Sequence, residues 1–253
     1  MSNFLPFMLV GFLAQLVDGT LGMGFGVISS SILLAQGVPP VLASASVNAA
    51  KLPTTGTAGL SHAYHCNINW KIASKLCLFG SFGGVIGALL LTSLKGAMLA
   101  YVVNSYLTFI GALIVYHGLM NYTPRLIPGE RARTIGLVGG LIEGIGGSWG
   151  PIVTTGLLGS GTEPRYSIGT SNFSEFMVSI AVFSSFLAAF AIGHWRGGSD
   201  WHTVALPVAG LVVGGLPAAA LGGYLSKRAP RQPLTVAVGC LALGIGVYRA
   251  FFG

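Results

Sequence analysis

Four ionisable side chains, Asp18, Lys51, Glu143 and Glu175, fall inside long apolar stretches of this 253-residue chain, and His117 lies near the end of another. A charge held at the depth of a bilayer costs at least about 2.5–3.5 kcal/mol even on the lenient insertion scale, so each of the four is a functional candidate. A lysine placed there attracts an anion, whereas a carboxylate takes up and releases a proton or holds a cation. Two glycine-rich strings accompany them: Asp18-Gly-Thr-Leu-Gly-Met-Gly-Phe-Gly26 and Glu143-Gly-Ile-Gly-Gly-Ser-Trp-Gly150. A helix restarting after Gly26 or Gly150 presents free backbone N–H groups and the positive end of its dipole, which makes an anion cradle. Hydroxyls follow at once, Ser29, Ser30 and Ser31 after the first string and Thr154 and Thr155 after the second. The plainer reading of the same residues is that the glycines allow close packing and the hydroxyls bond their own helix.

The elements that must hold these groups are set by composition. The chain is 53% hydrophobic and only 8% charged, against about 25% charged residues in a soluble domain. That deficit cannot cover a water-facing surface. The net charge of +7 sits in short loops between apolar runs, the distribution of the positive-inside rule and not of a nucleic-acid footprint. Runs of about 20 residues cross a bilayer as helices. Six plain spans are expected at 41–62, 72–93, 97–119, 166–192, 203–225 and 232–251, and two glycine-broken regions at 4–36 and 134–160. The apolar N-terminus, lacking a basic flank and a small-residue cleavage site, reads as retained.

The two broken regions open two similar halves. A shift of 124 residues places Gly22 on Gly146, Phe25 on Trp149, Gly26 on Gly150, Gly37 on Gly161, Pro40 on Pro164, Asn48 on Asn172 and Lys51 on Glu175. Lysine and arginine then choose the topology. If each broken region crosses once, the loop charges split seven to five and orient nothing. If each goes in and returns, nine basic residues (Lys71, Lys75, Arg125, Arg131, Arg133, Arg165, Lys227, Arg228 and Arg231) face three (Lys95, Arg196 and Arg249). The second arrangement puts both termini outside and makes the halves inverted repeats, the architecture of secondary transporters with sites at broken helices.

Other residues carry less. Cys66, Cys77 and Cys240 have no ligand spacing and read as inert packing. His62, His65, His194 and His202 sit near Trp70, Trp195 and Trp201, as polar neighbours of an interfacial aromatic belt do. The basic strings Arg125–Arg133 and Lys227–Arg231 set topology and meet anionic lipid. No nucleophile elbow, Walker loop or HExxH string is present, so an enzyme is not expected.

Each glycine string is followed by a proline-led helix bearing an asparagine, Asn48 or Asn172. In its size, its two halves and the strings Val17-Asp-Gly-Thr-Leu-Gly-Met-Gly-Phe-Gly26 and Leu141-Ile-Glu-Gly-Ile-Gly-Gly-Ser-Trp-Gly-Pro151, the sequence resembles the sulfite exporter TauE/SafE family of membrane permeases over nearly its whole length. The resemblance implies export of sulfite, sulfonates and related sulfur compounds.

The expected fold is an all-α polytopic membrane protein of two inverted repeats, each a glycine-broken hairpin plus three transmembrane helices. Residues 1–120 form one repeat, 121–133 a cytoplasmic linker and 134–253 the other. The expected function is a secondary transporter exporting a small sulfur-containing anion by alternating access, multi-pass in the inner (plasma) membrane. Lys51, Asn48, Asn172, Ser29, Ser30, Thr154, Thr155 and the backbone after Gly26 and Gly150 are the expected anion ligands. Glu175, Glu143 or Asp18 carries a coupling proton or sodium ion. No cofactor, metal or nucleic acid is expected; the partners are the anion and the bilayer, and a homo-oligomer is left open. Two other classes also stay open: an anion channel, and a cation or metal permease built on the buried carboxylates. So does a purely structural Lys51–Glu175 ion pair.

Overall fold

The computed structural model describes residues 4–94, 96–120, 131–195, 201–226 and 231–252. Arg125, Arg196, Lys227 and Arg228, named above in the charge split, lie outside the described residues, as does Lys95.

All regular structure among the described residues is helical. The first broken region forms α1 (Phe4–Leu21) and α2 (Phe25–Ala35), followed by α3 (Pro40–Tyr64), α4 (Trp70–Ser93) and α5 (Gly96–Leu119). The second forms α6 (Arg131–Gly146) and α7 (Trp149–Gly159), followed by α8 (Pro164–Ala191), α9 (Trp201–Leu225) and α10 (Arg231–Phe252). The linker expected over 121–133 therefore gives its last three residues to α6. Among the described residues five helices are long and apolar enough to cross a membrane: α1, α4, α8, and the stretches Tyr101–Leu119 of α5 and His202–Leu225 of α9. At 25 residues α3 is as long, but Asn48, Lys51 and its many hydroxyls make it polar for a span. Pro40 and Pro164 start α3 and α8 at the position where a missing N–H costs nothing.

Small residues set the packing. A β-carbon on Gly140 would fall on the Gly80 carbonyl, and one on Gly144 on the Gly84 carbonyl, so α4 and α6 lie backbone to backbone and run in the same direction. On the other side α1 and α9 pair likewise, with Gly210 beside Phe4 and Gly19 beside Gly222. Two other pairs run antiparallel. Gly56 meets Phe176 and Gly59 meets Phe173 between α3 and α8, while Gly111 meets Leu243 and Gly118 meets Val236 between α5 and α10.

These pairings decide how the broken regions run. Gly156 packs on Ile135 and Gly139 on Val153, so α7 returns alongside α6. In the first region α1 begins beside Gly210 of α9, and α2 ends where Arg249 of α10 donates to the Leu34 carbonyl. The start of α9 and the end of α10 belong to the same end of the bundle, since the connection between the two helices is short, and α2 therefore also returns. Phe4 and Phe252, the first and last described residues, lie at that end. The opposite end carries Lys71, Lys75, Arg131, Arg133 and Arg165.

The apolar and polar residues are distributed inside out relative to a water-soluble protein. Leu5, Leu9, Leu13, Leu78, Phe82, Phe109 and Leu187 face outward, whereas Gln15, Asp18, Asn48, Lys51, Glu143, Asn172 and Glu175 are buried. Lipid accepts the first set at no cost, and only neighbouring polar groups can satisfy the second.

Candidate functional site

The two breaks form the tips of the hairpins, and the tips touch. Gly22 takes a φ of 72° and Gly147 one of 70°, left-handed values that a residue with a β-carbon adopts only at a cost. Their N–H groups close onto the carbonyls four residues back, Gly22 to Asp18 at 2.6 Å and Gly147 to Glu143 at 2.7 Å. A β-carbon on Gly26 would overlap the Gly147 carbonyl, and one on Gly150 would overlap Gly22 and Met23. Thr154 ties the tips further: its hydroxyl donates at 2.5 Å to the Gly22 carbonyl and accepts from the Ser171 hydroxyl at 2.8 Å.

Each restarted helix is capped by the acid that precedes its break. Glu143 Oε2 accepts the Trp149 N–H at 2.7 Å, and Asp18 Oδ1 accepts the Phe25 N–H at 3.3 Å. A carboxylate at a helix N-terminus meets both the free N–H and the positive dipole end. The cradles foreseen for a substrate anion are thus partly filled by the protein's own acids.

Lys51 enters between the tips from α3. Its ammonium lies 2.7 and 2.9 Å from the two oxygens of Glu143, 2.6 Å from the Gly147 carbonyl and 2.7 Å from Glu175 Oε1. Its three N–H donors are fully engaged. Glu143 is equally well supplied, since Ser179 Oγ adds a bond at 3.4 Å to Oε1. The contact between Lys51 and Glu175, repeat counterparts in the sequence, is present. Glu143 is a second partner of the lysine that the repeat alignment did not indicate.

Asn48 and Asn172 behave alike. Each donates its amide to the carbonyl one turn back, Ser44 at 2.9 Å and Ile168 at 3.2 Å, and each leaves its Oδ1 without a donor. Asn172 also donates to the Asp18 carbonyl at 3.4 Å. The hydroxyls divide: Ser30 bonds Val27 of its own helix and Thr155 bonds Pro151, as the plainer reading expected, whereas Ser29 and Ser31 are buried without a partner. His62 is not interfacial as expected. It is buried, with Nε2 3.0 Å from the Gly19 carbonyl and Nδ1 3.3 Å from Asn67, and it joins the end of α3 to α1.

Three residues near the cluster escaped the sequence reading. Ser179 sits one turn after Glu175 on α8. Gln15 sits one turn before Asp18 on α1, buried with neither amide atom bonded. Tyr106 packs its ring against Gly146. The first two were detectable, because a polar residue three or four positions from a buried acid shares its helix face.

A cavity of about 660 Å³ opens toward the basic end between α5, α6, α7 and α10 and reaches inward to Met23. Its depth ends at the first tip, and the Lys51 cluster is absent from its lining.

Against this geometry, the family model described as "Sulfite exporter TauE/SafE" matches residues 7–249. The chain belongs to the TauE/SafE family. It is 34% identical over 247 residues to the "Probable membrane transporter protein YtnM" of Bacillus subtilis (strain 168), covering 94% of this chain and 80% of the relative. It is also 31% identical over 118 residues to the "Probable membrane transporter protein ORF9" of a Sinorhizobium species, covering 46% of this chain and 44% of that protein. No solved structure gives a significant match. As a member of the TauE/SafE family the protein is a multi-pass membrane transporter for a small molecule, and not an enzyme.

Proposed function

We propose that this TauE/SafE protein exports a small sulfur-containing anion, sulfite or an organosulfonate, by alternating access between two inverted repeats, with its basic end in the cytoplasm. The observation that carries this reading is Lys51, a buried lysine held where the two hairpin tips meet. Inverted repeats are supported by the antiparallel packing of both sequence-equivalent pairs, α3 with α8 and α5 with α10, and by hairpins whose ends lie at opposite ends of the bundle. Such tips, facing each other from two sides, are where carriers place their sites.

The anion displaces a carboxylate from the lysine. Protonation of Glu175 weakens its hold on Lys51, and an anion replaces it, assisted by Asn48, Asn172, the hydroxyls of Ser29, Ser30, Thr154 and Thr155, and the N–H groups near Gly26 and Gly150. Glu175, Glu143 and Asp18 are the groups available for coupling to an ion. The cavity at the basic end serves as the inward vestibule, and access from the other side requires the tips to part.

Counterflow of labelled sulfite and of a small sulfonate in liposomes tests the reading, because accelerated exchange requires a carrier and a channel does not show it. Removing one member of a buried pair destabilises, whereas replacing both is tolerated better, so the informative variant is the double substitution Lys51→Met with Glu143→Gln. It should fold and lose anion counterflow. Undiminished counterflow in the folded double variant removes Lys51 as the anion ligand. A cation permease is the second reading, favoured by three buried carboxylates facing one lysine. It gains if cation flux survives in the double variant and is lost in Asp18→Asn.

Orientation has its own test. Cys66 is exposed in the turn between α3 and α4 at the basic end. A membrane-impermeant thiol reagent should label it in inside-out vesicles and not in right-side-out ones; the reverse pattern overturns the proposed topology.

A further inference from the structure

The hydrogen bonds around the four buried charges do not balance. Lys51 and Glu143 close on each other: every N–H of the lysine is taken, and both oxygens of Glu143 receive donors from Lys51, with Trp149 and Ser179 adding one each. Asp18 and Glu175 are left short. Asp18 Oδ2 and Glu175 Oε2 are buried and no group donates to either. A third undonated oxygen is Oδ1 of Asn172, whose amide nitrogen lies 3.4 Å from the Asp18 backbone carbonyl. Asn172 and Glu175 are three residues apart on α8 and share a face. Glu175 is tied to Lys51 at 2.7 Å, and Lys51 packs against Gly26, the neighbour of the Phe25 whose N–H Asp18 accepts. Gln15, one turn before Asp18, adds a buried amide that is also without a partner.

A buried carboxylate oxygen with no donor is strongly unfavourable, and here two of them, with the undonated Asn172 oxygen, belong to residues where α1 meets α8. Such a place is rich in acceptors, and the one cation beside it, the Lys51 ammonium, meets only Oε1 of Glu175 and leaves the three undonated oxygens unserved. We infer that Asp18, Glu175 and Asn172 form a binding site for one monovalent cation, a proton or Na⁺. A proton on either carboxyl donates to the Asn172 oxygen or to the other carboxylate; Na⁺ takes the same oxygens as ligands. Glu143 is excluded from this role because its oxygens are already occupied. Among the described residues no three His, Cys, Asp or Glu side chains converge as ligands, which suits a singly charged ion better than a divalent metal. The role of this cation in transport rests on the proposed function. Its binding does not.

The test therefore omits any anion. The purified full-length protein in detergent is melted over a series from about pH 6 to about pH 9 without sodium, and at one pH over a NaCl series balanced with choline chloride. If the site takes a proton, each proton released on raising the pH leaves an undonated carboxylate, so the melting temperature falls as pH rises. If it takes Na⁺, the melting temperature rises with NaCl. In either case Asp18→Asn and Glu175→Gln should fold and abolish the dependence. Asn172→Ala should weaken it, a readout that survives if one of the acid variants does not fold. The other titratable groups facing the site are Lys51 and His62 from α3, Glu143 from α6 and Tyr106 from α5. His62→Gln serves as the control and should leave the dependence intact. Absence of both dependences, their persistence in Asp18→Asn and Glu175→Gln, or their loss in His62→Gln overturns the inference. Loss of anion counterflow alone bears only on the proposed function.

Discussion

The two hairpin tips descend from one pattern and differ by one residue. Trp149 lies six positions after Glu143, and Phe25 seven positions after Asp18. In the second tip the longer glutamate spans the shorter break, reaches the Trp149 N–H at 2.7 Å and is matched by Lys51 and Ser179. In the first, the shorter aspartate faces a break lengthened by one residue, reaches the Phe25 N–H only at 3.3 Å and keeps one oxygen undonated. Asn172 and Asn48 repeat faithfully, and Gly22 and Gly147 turn left-handed four residues after their acids, whereas only the first tip has a second positive-φ glycine, Gly24. The contrast teaches that two similar tips can hold one carboxylate supplied with donors on both oxygens and one left short at a nearly equivalent position.

The largest expected effect falls on the closed tip. Lys51→Met alone leaves Glu143 buried and unpaired and should cost about 3–5 kcal/mol of stability, read as a large drop in melting temperature in detergent. A drop no greater than that of Asp18→Asn would erase the distinction between the tips. Next comes the contact between them. Gly26→Ala drives a methyl group into the Gly147 carbonyl and the Lys51 ammonium, so it should cost about 1–3 kcal/mol as overpacking and abolish counterflow. Full transport by a stable Gly26→Ala protein would mean that the tips need not touch.

Smaller again is Gly37→Ala, a comparison outside the tips. Gly37 has a φ of 81° and open space around it, so only backbone strain is added, about 1–2 kcal/mol, and transport should persist. Smallest is Asp18→Asn. Because Oδ2 has no donor to lose, melting without sodium at high pH should differ from wild type by less than about 1 kcal/mol or be raised, the amide removing an uncompensated buried charge. A loss as large as that of Lys51→Met would show that the first tip is closed as well.

Much of the architecture is legible in the sequence. The ends of the six plain spans fall within a few residues of α3, α4, α5, α8, α9 and α10, since a run of apolar residues long enough to cross hydrocarbon has few alternatives to a helix. The glycine strings marked both breaks, and the chemistry-bearing residues were named from the cost of charge in an apolar segment. The hairpin course of the broken regions was foreshadowed by lysine and arginine, whose placement follows the membrane's electrical asymmetry and not the local fold.

Pairing was not legible in the same way. Sequence symmetry matched Lys51 with Glu175, but the lysine's other close carboxylate comes from α6, 92 residues away, and only packing of the tips brings it there. His62 shows the same limit: its neighbours in the chain suggested an interface, and the approach of α1 buried it. Residue types and periodicity determined that this chain spans a membrane in two glycine-broken halves with charges inside. Which charges neutralise one another depended on distances of a few ångströms between remote helices. At that range one residue more in a turn separates a carboxylate that finds its donors from one that does not.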